Sequence, residues 1–260
     1  MTALLLATVL AFAQALDQRL AAAVPATGVA WVGYRVPMIP GDRRVCCDGC
    51  RLERLDGNVT ATSPGRVVLE PPRELLVLVR FENRSPSRIR TFTPDCDIDA
   101  TGTTLTWLPN VSSDDSVAWL SAIVTQQAPA TAARNKLFDP ALSALAFQAG
   151  DRATAALAGF ARTHANTHVR SQALFWLSQR AGQQALAAIA GAIDNDPETE
   201  VKRRAVFALS QLPKDEGVPK LIEVARSNRN PRVRQQAFFW LGQSHDPRAV
   251  QFFEDVLLKK

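Results

Sequence analysis

Apolar residues in the C-terminal half of the chain recur at helical spacing, and that pattern itself repeats. Three stretches align with one another: Val169 to Gln179 (VRSQALFWLSQ), Val201 to Gln211 (VKRRAVFALSQ) and Val233 to Gln243 (VRQQAFFWLGQ). They begin 32 residues apart each time. The segments between them align too, with Leu157, Ile189, Leu221 and Phe253 in one column and Ala161, Ile193, Ala225 and Leu257 in another. A fixed period of this length marks stacked supersecondary units. Each unit holds two apolar-periodic stretches of about three turns, which predicts a helical hairpin. One hairpin cannot bury its own apolar face, and stacked neighbours bury it instead.

The stretch from about 27 to 110 carries a different pattern. Trp31–Val36, Arg66–Leu69, Leu75–Phe81, Ile89–Phe92 and Thr103–Trp107 are β-branched or aromatic runs, punctuated by Gly, Pro, Asn and Asp. That is the signature of strands and turns. Leu75 to Val79 is apolar at every position and reads as a central strand, while 51–65 reads as a loose loop. After it, Ser112-Ser113-Asp114-Asp115 is a good N-cap run for a helix over Val117 to Val124. The expected fold class is α+β: a small, disulfide-containing, β-rich N-terminal domain over 16–110, then an α-α solenoid over 111–260.

The second stretch of each unit reads V-R-x-x-A-x-x-x-L-[SG], with Asn195-Asp196-Pro197 and Asn230-Pro231 in the turns before two of them and His245-Asp246-Pro247 opening the last first helix. This resembles the HEAT repeat, in particular the short bacterial HEAT-like class, over roughly residues 113–260. Leu137, Ala141 and Leu145 keep the apolar columns but lack the Arg and Gln, as a degenerate terminal cap would. Together with the N-terminal features below, the chain resembles exported HEAT-repeat proteins of bacteria. The resemblance implies a fold and a compartment, and no activity.

Composition adds the compartment. The first fifteen residues carry no charged side chain; Leu4 to Phe12 is apolar, and Ala13-Gln14-Ala15 gives an A-x-A cleavage pattern. This predicts a signal peptide over 1–15, although no Lys or Arg precedes its apolar core. The core is too short to span a bilayer, and no other segment is long and apolar enough, so no membrane span is expected after signal removal. All four cysteines, Cys46, Cys47, Cys50 and Cys96, lie in the N-terminal half. An even number in an oxidising compartment reads as structural disulfides with three possible connectivities, of which Cys46–Cys47 is sterically unfavourable. Cys47-Asp-Gly-Cys50 has metal or redox spacing, but no second pair completes a tetrad. The periplasm or the exterior is the expected location.

Candidate chemistry is sparse. The net charge of +5 is mild and scattered, so nucleic acid is not an expected partner. His164 and His168 stand four apart, but Asn166-Thr167 between them marks a turn and no third ligand follows, so they read as solvated turn residues. Asp95, Asp97 and Asp99 lack the Gly and terminal Glu of a calcium loop. No phosphate-binding, dinucleotide-binding, nucleophile-elbow or zinc-protease motif occurs. The chain reads as a non-enzyme that needs no cofactor or metal.

The repeats instead offer columns of side chains. On a helical wheel from Val169, the residues Ala173, Trp176 and Leu177 share the buried arc, and Phe175 falls on the opposite side, at about 240°. The hypothesis is a concave groove of Phe175, Phe207 and Phe239 with a rim of Gln172, Arg204, Gln236, Gln179, Gln211 and Gln243, which would hold a protein or peptide. The alternative is that each Phe packs against the neighbouring repeat or the β-rich domain as core. The Gln179, Gln211 and Gln243 column would alternatively form a hydrogen-bond ladder between repeats. Trp176 and Trp240 read as packing, and Arg170, Lys202 and Arg234 as cations bound to turn acids and carbonyls, holding units in register. The expected function is a binding scaffold of the bacterial envelope. The alternatives are a regulatory or sensor subunit and a bilin-lyase-like subunit, the last disfavoured because every Cys lies outside the repeats. Partner identity and oligomeric state are left open.

Overall fold

The computed structural model describes residues 16–41, 45–46, 73–126, 134–180 and 182–258. The predicted signal peptide, the Arg66–Leu69 run, the 51–65 loop, Cys47 and Cys50 lie outside these residues. The chain divides into two compact units, Met1–Ala153 and Thr154–Lys260.

The first unit is built on a four-stranded sheet in the order β3-β2-β1-β4. β1 (Val29–Pro37) pairs antiparallel with β2 (Glu74–Glu82) and parallel with β4 (Leu105–Trp107); β2 pairs antiparallel with β3 (Ser85–Phe92). The β2–β3 turn places Asn83 and Arg84 at φ 49° and 62°, the geometry a two-residue hairpin needs to match strand twist. Leu75 to Val79 is buried throughout, as its unbroken apolar run predicts, and so is Ala30 to Tyr34 beside it. A strand buried on both sides needs two covered faces. Trp31, Leu76, Leu78 and Phe92 form one core layer, closed by Cys96, Ile98, Ala100 and Leu105. Cys46 and Cys96 are joined in a disulfide, which decides one of the pairings the sequence left open.

Helices cover the other face. Helix α1 (residues 16–22) buries Leu16 and Leu20, and Asp17 Oδ1 accepts from Trp119 Nε1 at 3.1 Å. Helix α2 (Ser113–Thr125) starts at the expected cap, where Ser112 Oγ accepts from the Asp115 amide at 3.0 Å. Tyr34 Oη and Ser116 Oγ, both buried, are 3.0 Å apart. A π-helical turn (Arg134–Phe138) leads into α3 (Asp139–Phe147), which packs on β2 and β3. Residues 111–153, expected to open the solenoid, fall within the sheet-bearing unit. The reason is backbone pairing: the Ile39 and Ala149 amides donate to Phe147 O and Pro37 O at 2.9 Å, stitching the end of α3 to the end of β1.

The second unit is the helical array: α4 (Asp151–Thr163), α5 (Thr167–Ser178), α6 (Gln183–Asn195), α7 (Thr199–Ser210), α8 (Lys214–Ser227), α9 (Pro231–Gln243) and α10 (Pro247–Leu258), with the unit boundary inside the first turn of α4. The repeated columns form its core. Leu157, Ile189 and Leu221 are fully or almost fully buried, as are Val169, Val201 and Val233, Ala173, Ala205 and Ala237, and Leu177, Leu209 and Leu241. At about 1.5–3 kcal/mol for each large buried apolar side chain, these columns supply the array's main cohesion.

Candidate protein-binding surface on the second helices

The turns that aim the second helices are built alike. His164 Nδ1, Asp196 Oδ1 and Asn228 Oδ1 stand 32 residues apart. Each accepts from the amide two residues on, at 3.1, 2.9 and 3.0 Å. His164 is thus a turn acceptor with its ring edge-on to Phe160, rather than a solvated histidine. The cation column reads as expected. Arg170 Nη1 donates to His164 O and Ala165 O at 2.9 and 3.2 Å, Lys202 Nζ to Asp194 O at 2.7 Å, and Arg234 Nη1 to Asn228 O at 2.8 Å. Each donates to carbonyls at the end of the preceding helix or in the turn just after it. Arg170 also reaches into the next repeat. Its Nε and Nη2 grip Asp196 Oδ2 and Oδ1 at 2.7 and 3.1 Å, with both side chains buried.

With the backbone held this way, the aromatic rings of the second helices meet. Phe175 and Phe207 stack in parallel, centroids 6.4 Å apart and planes within 2°. The third ring is not Phe239, which is 54% exposed at the margin. Trp240 takes that place, 5.1 Å from Phe207, with Phe239 edge-on to it at 4.9 Å. Ala208, the small member of the Trp176–Trp240 column, leaves Phe207 as the ring that Trp240 meets. Trp176 and Trp240 are both only half-buried, and Trp176 stands edge-on to Phe175 at 5.0 Å. They extend the aromatic strip rather than serving as core alone.

The strip floors two adjoining recesses. One of about 490 Å³ is lined by His168, Gln172, Phe175, Glu198, Arg204 and Phe207, among others. The next, of about 320 Å³, shares Glu200, Arg204 and Phe207 with it and adds Arg203, Gln236 and Trp240. Of the expected rim residues, Gln172, Arg204 and Gln236 are here. Arg204 Nε is 3.6 Å from Glu200, and Gln236 Oε1 accepts from Arg203 of the preceding repeat at 3.2 and 3.3 Å. Gln179 and Gln211 instead donate to the adjacent Ser178 and Ser210 at 3.4 and 3.1 Å, so these bonds run within a helix and not between repeats. Gln211 and Gln243 border a separate recess of about 190 Å³. The acidic edge of the strip, Glu198 and Glu200, and the Arg203 bridge escaped sequence reasoning. No column repeats them, since position 203 is Ser171 and Gln235 in the flanking repeats.

Elsewhere, the sulfurs of Cys46 and Cys96 are bonded to each other, so they are not thiolate ligands despite the nearby Asp95 carboxylate. Asp99 Oδ1 accepts from the Thr101 amide at 2.9 Å, the geometry of a turn. No helix among the described residues is long and apolar enough to cross a membrane.

Residues 186–260, from α6 through α10, match the family model for HEAT repeats. This array is a HEAT-like repeat array. No curated protein matches the chain. HEAT repeats are generally non-catalytic, and their presence points to a protein-interaction scaffold with protein partners.

Proposed function

We propose that the chain is a non-catalytic adaptor of the bacterial envelope that holds a protein or peptide segment against the aromatic strip of its second helices. The observation carrying this reading is the strip itself: Phe175, Phe207, Trp240 and Phe239 run across three successive repeats, partly open, ringed by Gln172, Arg204 and Gln236. Aromatic anchors inside a polar rim are the usual source of binding energy at protein interfaces, and a repeat array spreads them along one partner. The test is affinity capture from envelope extract by the chain beginning at residue 16, beside the folded variant Phe175→Ala/Phe207→Ala/Phe239→Ala. A protein held by the native chain and lost by the variant supports the reading, and equal capture by both refutes it.

Export through residues 1–15 is part of the proposal. It predicts a mature N-terminus at Leu16 on protein recovered from the periplasm; intact, unprocessed protein in the cytoplasm would overturn it. The Cys46–Cys96 bridge supports a second reading, a regulatory subunit whose β-rich unit senses the envelope. That reading requires partner binding to change when the bridge is reduced.

A further inference from the structure

The recess between α5 and α7 carries opposite charges that the packing of the repeats leaves open. Its floor is the parallel pair Phe175 and Phe207. The carboxylates of Glu198 and Glu200, the guanidinium of Arg204 and the imidazole of His168 line it. Glu200 is engaged already: it accepts from Arg203 Nη1 at 2.9 Å and lies 3.6 Å from Arg204 Nε. Arg203 is held further by Gln236 Oε1 at 3.2 and 3.3 Å. Among the described residues, Glu198 has no ion pair, and Arg204 has none besides the one through its Nε. Both side chains are exposed.

An open acid and an open base therefore border one aromatic floor. Glu198 is the N-cap residue of α7 and Arg204 stands six residues on, about 9 Å along the helix axis. A partner segment charged with a single sign would satisfy one of the two and oppose the other. A neutral segment would leave both charges bordering an apolar contact without partners.

We propose that this recess takes a protein segment of mixed charge, with a Lys or Arg, a large apolar residue and an Asp or Glu at alternate positions. Alternate residues of an extended chain share a face and lie about 7 Å apart. The cation pairs with Glu198, the carboxylate takes the open Nη groups of Arg204, and the apolar side chain lies on Phe175 and Phe207. The two charged residues of such a segment are about 13 Å apart at the backbone, and their flexible stems lean inward to the about 9 Å of α7. The inference rests on the reading of the strip as a protein-binding surface, and it names the chemistry of what the strip holds.

The probes are three capped fluorescent peptides, GKSFSEG, GESFSEG and GKSFSKG, each titrated with the whole chain and followed by anisotropy. Saturable binding of the mixed peptide is expected, at least about ten-fold tighter than that of either single-sign peptide. Glu198→Lys turns the preference to GESFSEG, and Arg204→Glu turns it to GKSFSKG. Both positions are exposed, so folding tolerates the swaps. Phe175→Ala with Phe207→Ala weakens all three peptides. The proposal is overturned if the mixed peptide does not bind saturably, or if the two swaps leave the order of affinities unmoved. Equal binding of the three peptides that is lost with the Phe substitutions also overturns it, and leaves the protein-binding reading of the strip standing. Binding that survives the Phe substitutions overturns both.

Discussion

Asp196→Asn isolates a bridge that ties a second helix to the next repeat through buried charge. The asparagine keeps an Oδ1 for the Glu198 amide, which donates to Asp196 at 2.9 Å. It removes the carboxylate that receives Arg170 at 2.7 and 3.1 Å. Arg170 is 7% exposed, so water cannot replace the lost partner. Breaking a buried pair from one side costs about 3–5 kcal/mol. The retained turn bond and the two carbonyls still held by Arg170 Nη1 put the expected loss near the lower end, about 3 kcal/mol. The chain carries its own comparison at Asn228, whose column partner Lys202 donates to Asp194 O instead. There, Asn228→Ala removes one turn acceptor and is expected to cost about 1 kcal/mol. The assay is urea unfolding followed by helical circular dichroism. With a slope of about 2 kcal/mol/M, Asp196→Asn shifts the midpoint down by about 1.5 M. Adding Arg170→Met removes the uncompensated charge, so the double variant loses less than the sum of the singles, by about 2 kcal/mol. Strict additivity, or a single-variant loss within about 0.5 kcal/mol of zero, would refute the claim that this pair holds adjacent repeats in register.

Three further outcomes follow from local geometry. A Cβ at Gly217 would stand 2.5 Å from Leu209 O, so Gly217→Ala is expected to cost about 1–3 kcal/mol, whereas Gly191→Ala, with nothing within 4 Å, gains up to about 1 kcal/mol; thermal unfolding of both variants checks the opposite signs. The Cys46–Cys96 bridge spans 50 residues, and the chain-entropy account assigns its removal a loss of about 4 kcal/mol, measurable by denaturant unfolding of Cys46→Ser/Cys96→Ser against the native chain; an unchanged midpoint would contradict it. The hydrogen bond from Arg248 is the main reason the Asp246 carboxyl is held down to about 2 from its ordinary 3.8, so its contribution is complete above about pH 4 and is lost as pH falls toward 2. Asp246→Asn should therefore lower stability at neutral pH and flatten the acid limb of a melting-temperature profile, and a parallel displacement of the whole profile would count against this.

Much of the array is legible in the spacing of residues along the chain. The 32-residue period brings Val169, Val201 and Val233 to equivalent positions, and identical neighbours bury identical columns, so a local pattern suffices to place them. The unbroken apolar run Leu75–Val79 likewise marks a strand covered on both faces. Other features depend on meetings between distant residues. Spacing leaves Cys96 several possible partners, and the fold brings Cys46 beside it. Helices α2 and α3 look like array members by composition; the Tyr34–Ser116 contact ties α2 to the sheet, and packing on β2 and β3 with the pairing of Ile39 and Ala149 with Phe147 and Pro37 ties α3 to it. The candidate strip is half visible in the sequence: Phe175 and Phe207 lie on the expected face, but the ring beside Phe207 is Trp240 and not Phe239.

The sequence by itself determined the repeat, its signature, the strand runs and the cysteine-bearing N-terminal half, because each follows from spacing along the chain and the short-range geometry of helices and strands. Tertiary structure alone decided which cysteines join, where the sheet-bearing unit stops and which rings line the strip. Those outcomes turn on packing and hydrogen bonds between residues far apart in sequence, and residue spacing carries no record of them.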